Sequence, residues 1–262
     1  MALSPAQRHL QRHHAAAIAL AAGAAAAAAG AVVAPPHPED GEAAQSYNLL
    51  MVQLIEHRRQ LKDIGSTEKK IEAKRGMFDF YQDHVDAVLD AGEKTGQAVQ
   101  DDIVVTMMIW SLDLQYWSRA FQIAAHVLRF GLQLPQPFTR GVPTFLAEEV
   151  AEAALKADAL DQDFPLDVLS DVFTMVQPYD IYDVVAAKLR KAIGFRYLRI
   201  SKADNPDGPA GGPEAAKRAA LEAFRSAFAI DKKCGVKKEM EILQRALQKL
   251  PEPAPAETGQ SA

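Results

Sequence analysis

Apolar residues recur along most of this chain at the three- and four-residue spacing of amphipathic helices. Residues 47–62 and 78–91 each predict one helix. The basic stretch 47–75 predicts either a helical hairpin, interrupted at 65–68, or one long helix. The stretch 100–132 predicts two, because an apolar stripe begins at Ile103, breaks at a short turn and resumes before Gly131, a residue suited to a helix C-terminus. No segment shows the alternation of a convincing strand, so the pattern predicts an all-α fold.

The second half of the chain repeats this arrangement. Helices are predicted over 184–198, 214–230 and 236–250, and the Gly- and Pro-rich stretch 205–213 predicts a loop between the first two. Small residues lie where paired helices must approach closely. We therefore predict helical hairpins with tetratricopeptide-like character.

Composition divides the chain into four predicted regions. Residues 1–44 form an Ala-rich arm and linker, and residues 45–98 form basic and then acidic helices, the candidate DNA-binding and assembly region. Residues 99–250 form a helical-repeat domain. Residues 251–262, rich in Pro, Ala and Glu, form a disordered tail.

The alanine run over 14–34 follows Arg8 and Arg12 and superficially resembles a secretory signal. Alanine is only weakly hydrophobic, however, and few strongly apolar residues interrupt it, which argues against export or membrane insertion. We predict a flexible arm, and no membrane partner, with Pro35 ending any helix.

Charge is unevenly distributed along the chain. The formal net charge is −5, but residues 1–75 carry nine basic against seven acidic side chains, residues 76–183 carry five against eighteen, and residues 184–262 carry fifteen against nine. Basic ends suggest that contact with nucleic acid uses the ends, while the acidic middle faces solvent or a basic partner. Alternatively, the acidic residues only keep a helical surface soluble.

Basic side chains of the N-terminal region are the candidate DNA-binding residues. Lysine and arginine neutralise phosphates and give affinity without base specificity, although a charge run is also typical of a solvated helix face. The candidates are Arg8, Arg12, Arg58, Arg59, Lys62, Lys69, Lys70, Lys74 and Arg75. A second basic cluster, at Lys232, Lys233, Lys237 and Lys238, has two competing hypotheses: contact with DNA, or with the acidic block of a neighbour.

Residues for catalysis are harder to find. The chain has no Gly-rich phosphate loop followed by Lys and Ser/Thr, so it does not read as an ATPase. Its single cysteine, Cys234, leaves no thiol pair for zinc or an intrachain disulfide, favours a reducing compartment and is interpreted as structural. His126 lies in an apolar helix and is interpreted as a packed histidine.

Three acidic groups are candidate metal ligands, each with a plainer interpretation. Asp79, Asp83, Asp86 and Asp90 share one predicted helix face, which is more typical of a solvated surface opposite Phe80, Val85 and Val88. Glu72, Lys74 and the upstream Asp63 match a fragment of a nuclease pattern that normally lies on strands, not helices. Glu148, Glu149 and Glu152 suit the first turn of a helix. We therefore predict no metal site and identify no catalytic residue.

Four blocks carry a resemblance to a known family: QDDIVVTMMIWSLDLQYWSRAFQIAAHVLRFGL over 100–132, SPAQRH at the start, FLAEEVA from Phe145 and CGVKKE from Cys234. Together they resemble the small terminase subunit, also called the terminase endonuclease subunit, of Peduovirus-type tailed phages. The resemblance implies binding to the packaging site on concatemeric double-stranded DNA, assembly as a homo-oligomer and action with an ATPase large subunit, in the bacterial host cytoplasm.

Two other hypotheses stay open from the residues. In the first, the chain itself carries nuclease activity, built from carboxylates of distant helices, and magnesium is its cofactor; otherwise we identify no cofactor. Alternatively, the tetratricopeptide-like hairpins belong to an adaptor that does not bind DNA.

Overall fold

The computed structural model describes Ala15, Ala16, Ile18, residues 34–202 and residues 212–248. Across these residues all regular secondary structure is helical, so the predicted all-α class is confirmed. Most of the predicted Ala-rich arm and the whole predicted tail lie outside the described residues, as do Arg8 and Arg12. The tetratricopeptide-like character and the four-region division remain predictions.

The described residues form two compact units, divided between Phe145 and Leu146. The first unit contains α1 (Glu42–Asp63), α2 (Thr67–Phe78), a 3-10 turn (Asp79–Tyr81), α3 (Gln82–Thr95), α4 (Asp102–Asp113) and α5 (Trp117–Phe130). Helix α6 (Val142–Ala159) crosses the division, and the second unit continues with α7 (Leu166–Val176), α8 (Asp183–Ile200), α9 (Gly212–Ile230) and α10 (Lys237–Gln248).

Helices α1 and α2 form the predicted basic hairpin. Helix α1 ends at Asp63, and Ile64 is extended. The hydroxyl of Ser66 then accepts a hydrogen bond from the backbone N–H of Lys69, which caps the start of α2. The interruption predicted near Gly65 is therefore confirmed, and one long helix is excluded.

Helices α4 and α5 form the predicted second hairpin and the core of the first unit. Asp101 caps α4 by accepting from the N–H groups of Ile103 and Val104, both at 2.9 Å. Gly131 ends α5 in the left-handed conformation, with φ 66°, as predicted. Helix α4 differs from a one-stripe helix, because nearly all of its side chains are buried.

The helix predicted over 78–91 is confirmed from Gln82 onward, but its predicted start is wrong. Helix α2 runs to Phe78, the 3-10 turn follows, and α3 begins at Gln82. The turn places two neighbouring aromatic side chains in different environments. Tyr81 is fully buried, whereas Phe80, which was predicted to lie on the apolar face, is exposed. A buried tyrosine therefore sets the direction in which α3 leaves α2.

In the second unit, α8 packs most extensively against α9, and α10 packs against α9. The buried Phe224 of α9 lies over Gly194 of α8, where any side chain would occupy the space of its ring. Phe195 meets Phe224 edge to face, with ring centroids 5.1 Å apart. The absence of a side chain at Gly194 therefore lets α8 and α9 approach closely.

Candidate nucleic-acid interface

The turn between α1 and α2 is flanked by basic side chains. Lys62 lies in the last turn of α1, and Lys69 and Lys70 lie in the first turns of α2, on either side of three connecting residues. Lys62, Lys69 and Arg75 are exposed, and Lys70 is half-buried. Among the described residues, none of these four forms an ion pair, so their charges are available to a ligand.

Three other predicted DNA-binding residues are already engaged within the chain. Arg58 donates from its guanidinium to Thr106 Oγ1 on α4, and Arg59 forms a two-point ion pair with Glu56, at 2.9 Å for each bond. Hydrogen bonds from Arg59 lower the pKa of Glu56 to about 2. The contact with Thr106 fixes the side chain of Arg58, and the ion pair with Glu56 offsets the positive charge of Arg59.

Lys74 is the third engaged residue. Its Nζ contacts Asp113 Oδ2 at the end of α4, and both side chains are partly buried. The nuclease-like fragment Glu72, Ala73 and Lys74 lies entirely within a helix, as expected, and its lysine already has a carboxylate partner. Lys74 therefore joins α2 to α4.

Helix α1 is anchored behind the basic turn by a buried hydrogen-bonded pair. His57 Nδ1 lies 2.7 Å from Tyr81 Oη, and Gln53 contacts the other ring nitrogen of His57 at 2.9 Å. Burial raises the pKa of Tyr81 and lowers that of His57, so both side chains stay neutral at pH 7. The pair fixes α1 against the 3-10 turn without adding charge beneath the basic surface.

A second anchor lies at the other end of α1. The hydroxyl of Tyr47 accepts from the backbone N–H of Asp102 at 3.1 Å, and the ring of His37 stacks on Tyr47 with centroids 3.8 Å apart. Pro35 O accepts from the N–H of Gln100. The stretch predicted as a linker is thus tied to the first unit near the start of α4.

The acidic face predicted on one helix is divided in the structure. Asp79 belongs to the 3-10 turn, Asp86 pairs with Arg119 at 2.7 Å, and Asp90 pairs with Lys94 at 3.3 Å. Among the described residues, no three His, Cys, Asp or Glu side chains are grouped as ligands of a metal ion. These carboxylates instead connect α3 to α5 and stabilise α3.

The acidic group on α6 differs from its prediction. Helix α6 begins at Val142, with Pro143 in its first turn where a missing N–H costs little, so Glu148 and Glu152 lie in the middle of the helix. Both accept from Lys188 Nζ of α8, at 3.0 and 2.7 Å. Their role is to connect two helices, and the first-turn interpretation is wrong.

The two isolated candidates are packed as interpreted. His126 is 7% exposed, lies against Phe130 and Gly92, and burial lowers its pKa to about 4. Cys234 is half-buried in the turn before α10, and burial raises the pKa of its thiol. A thiol with a raised pKa is a poor nucleophile at pH 7.

One surface was missed by the sequence analysis. Leu49, Val52 and Ile55 lie at three-residue spacing on the solvent side of α1 and are 74%, 66% and 59% exposed. The opposite side of α1 buries Leu54 and Leu61. The three-residue spacing is visible in the sequence. It did not predict an exposed surface, because a helix with apolar residues on two faces does not show which face is buried.

No helix in the described part of the chain is both long and apolar enough to span a membrane. The alanine run that raised this question lies almost entirely outside that part.

Comparison with known proteins identifies the family. A family model described as "Phage small terminase subunit" matches residues 51–184, just over half of the chain. The "Terminase, endonuclease subunit" of Escherichia phage P2 is 34% identical over 252 residues, which cover 96% of this chain and 89% of that protein. No solved structure matches. This chain, with its all-helical fold and its role in phage DNA packaging, therefore belongs to the phage small terminase subunit family.

Proposed function

We propose that this chain is the DNA-recognition subunit of a phage packaging machine. In this proposal it binds the packaging site on concatemeric double-stranded viral DNA and acts with an ATPase large subunit that cuts and translocates the DNA. The work takes place in the cytoplasm of the bacterial host. Family membership supports the role, and the unpaired cations around the α1–α2 turn support the DNA-binding part of it.

The observation that carries the proposal is the contrast between engaged and available charges. Arg58, Arg59 and Lys74 are held by partners in the first unit, whereas Lys62 and Lys69 project from both sides of one turn. The engaged residues hold the hairpin in place, and the available ones can neutralise phosphates and release counterions. Base specificity would come from other groups, since phosphate contacts only position a protein on the duplex.

We further propose that the subunit works as a homo-oligomer. The exposed stripe of Leu49, Val52 and Ile55 supports this, because contiguous apolar side chains on a solvent-facing helix are typical of an interface. Repeating a modest basic surface in several copies would multiply weak phosphate contacts through avidity. Full-strength DNA binding would then depend on assembly.

A second candidate function is nuclease activity in this subunit itself, with magnesium as its cofactor. The observation that favours it is the name of the P2 relative, a terminase endonuclease subunit. In the described residues Asp86, Glu148 and Glu152 are held in ion pairs and no three acidic, histidine or cysteine side chains are grouped as metal ligands, so our preferred proposal leaves bond cleavage to the large subunit. Both functions can be tested with the same material.

The test measures retention and cleavage of duplex DNA by the purified full chain, with packaging-site and scrambled duplexes, across a salt series and with magnesium. We expect site-preferring, salt-sensitive retention without cleavage. A variant with glutamine at Lys62, Lys69, Lys70 and Arg75 should bind more weakly, with a flatter dependence on salt, by about 0.9 in log–log slope for each lost phosphate contact.

The matched control is a variant with glutamine at Lys94, Lys156, Arg218 and Arg245. It removes four positive charges from elsewhere, three of them from local ion pairs, and should bind like the wild-type chain. Cleavage by the subunit alone would establish the nuclease instead. Absence of any retention at low salt would leave the adaptor hypothesis.

A further inference from the structure

A second basic surface lies in the second unit, at the turn between α9 and α10. Helix α9 ends at Ile230 and α10 begins at Lys237, and Gly235 turns the chain with φ 78°. The surface, called here the lysine turn, consists of the exposed side chains of Lys232, Lys233, Lys237 and Lys238. Four cations therefore project within seven positions of the sequence.

The lysine turn is organised by an aromatic ring and by backbone contacts. Lys232 Nζ lies 4.5 Å and Lys237 Nζ 5.3 Å from the centre of the Phe228 ring, so one ring holds two ammonium groups through cation–π attraction. Asp231 accepts from the backbone N–H of Lys233, and Lys191 Nζ donates to the carbonyl of Cys234 at 2.9 Å. The backbone of the turn is thus fixed, and a fifth cation lies beside it.

The cations of the lysine turn are not neutralised within the chain. Among the described residues, none of the four ammonium groups forms an ion pair with a carboxylate. Several other basic side chains of the second unit are paired within the chain: Lys188 with Glu148, and Arg196 and Arg199 with aspartates of the α6–α7 connection. The lysine turn differs from these structural ion pairs.

Apart from the cation–π contacts of Lys232 and Lys237 with Phe228, the charges of these lysines oppose the fold that carries them. Lys237 and Lys238 occupy the first turn of α10, where a positive charge opposes the helix macrodipole. Four like charges so close together repel one another as well. An anionic partner would offset both the unfavourable interaction with the helix macrodipole and the repulsion between the lysines, which points to a binding role.

The chemistry favours nucleic acid over an acidic protein. Lysine is depleted from protein–protein interfaces, whereas flexible lysines are common contacts to the regularly spaced phosphates of a duplex. We propose that the lysine turn is a second DNA-contacting surface, which binds the phosphate backbone of double-stranded DNA outside the contacts made by the α1–α2 turn. This proposal rests on the proposed DNA-binding function and locates a part of it.

The experiment measures binding of the full-length chain to a fluorescently labelled duplex by anisotropy, across a series of salt concentrations. The test variant carries glutamine at all four positions of the lysine turn. We expect weaker binding at every salt concentration, and a log–log slope that is flatter by about 2 or more, since each phosphate contact contributes about 0.9. The corresponding four-arginine variant, which keeps the charge, should bind like the wild-type chain.

Two comparisons make the outcome specific. The variant with glutamine at Lys94, Lys156, Arg218 and Arg245 has the same net charge as the test variant and should keep wild-type affinity. Circular dichroism and thermal unfolding check that the test variant is folded. Wild-type affinity and slope in the folded test variant would overturn the second surface while leaving the proposed function intact; no DNA binding by the wild-type chain at low salt would overturn both.

Discussion

Asp101 shows how a single side chain organises the first unit. Its carboxylate is 1% exposed, caps α4 and also accepts from His84 Nε2 at 2.8 Å. Burial would raise the pKa of Asp101, but the nearby His84 and the backbone N–H donors outweigh burial and lower it. The residue is therefore a buried anion with fixed donors, and it joins the start of α4 to α3.

His126 gives a pH-dependent contribution to stability with a definite sign. Burial lowers its pKa to about 4, whereas an unfolded histidine titrates near 6.5. Below pH 6.5 the unfolded chain therefore takes up a proton that the folded chain refuses, and stability falls as the pH falls. At 1.36 kcal/mol per pK unit, this residue alone should lower the free energy of unfolding by about 2 kcal/mol between pH 7 and pH 5.

Replacing His126 with leucine, which has a similar volume and does not titrate, should remove this contribution. The measurement is urea unfolding of both proteins at pH 7 and pH 5. All other titrating groups are common to the two chains, so the difference between their pH dependences isolates His126. Equal losses of stability in the two proteins would refute the prediction.

The sequence alone predicts some of these side-chain contacts but not others. Asp101 and Asp102 precede an apolar run, and aspartate at that place in a sequence predicts the start of a helix. The contacts of Arg58 with Thr106 and of Lys74 with Asp113 could not be predicted, because the partners lie 48 and 39 positions further along the chain. Which member of a basic run is free depends on tertiary contacts, and one sequence does not specify those contacts.

At the scale of elements, the packing of α8 on α9 depends on Gly194. A Cβ there would lie 2.5 Å from Phe224 Cδ1, and Phe224 is fully buried and has no space to move. We expect Gly194→Ala to lower the free energy of unfolding by roughly 1–3 kcal/mol, because overpacking outweighs the better helix propensity of alanine.

The control is Gly76→Ala in α2, where a Cβ would meet nothing within 4 Å. That substitution should raise stability by up to about 1 kcal/mol, since only helix propensity changes. Urea unfolding of the two variants measures both effects. A stabilising Gly194→Ala would contradict the close approach of α8 and α9.

Helix boundaries were predictable where local signals were strong. The turn after Asp63 and the end of α5 at Gly131 follow from Gly and Ser signals in the sequence. The break at 79–81 was missed because every residue there tolerates a helix, and burial of Tyr81 decides the geometry. Helix α7 was missed as well, although Val168, Val172 and Val176 recur at four-residue spacing along its eleven residues.

At the scale of the whole molecule, each described unit carries a cluster of unpaired cations at one of its turns. In the first unit they flank the α1–α2 turn, and in the second they form the lysine turn. Several acidic residues in the middle of the sequence lie in ion pairs, such as Asp86 with Arg119. The chain therefore has two basic surfaces although its net charge is −5. The distribution of charge along the sequence predicts the position of each surface only approximately.

Assembly is the whole-molecule property that the exposed side of α1 predicts. Val52 is central in the stripe between Leu49 and Ile55, so Val52→Glu would bury an unpaired charge in any interface that the stripe forms. We expect this variant to shift the chain toward monomers, measured by light scattering coupled to size-exclusion chromatography over a range of concentrations. DNA affinity should fall in parallel, because each complex would present fewer phosphate-binding groups.

The matched control for assembly is Leu160→Glu, which places the same charge at another exposed apolar residue, 59% exposed and outside α1. It should leave both the mass and the DNA affinity unchanged. If Val52→Glu keeps the wild-type mass, α1 does not form the interface. If the wild-type chain is monomeric at every concentration, DNA binding must depend on the basic surfaces of one chain alone. A reduced mass with unchanged DNA affinity would separate assembly from recognition and remove avidity from the proposed function.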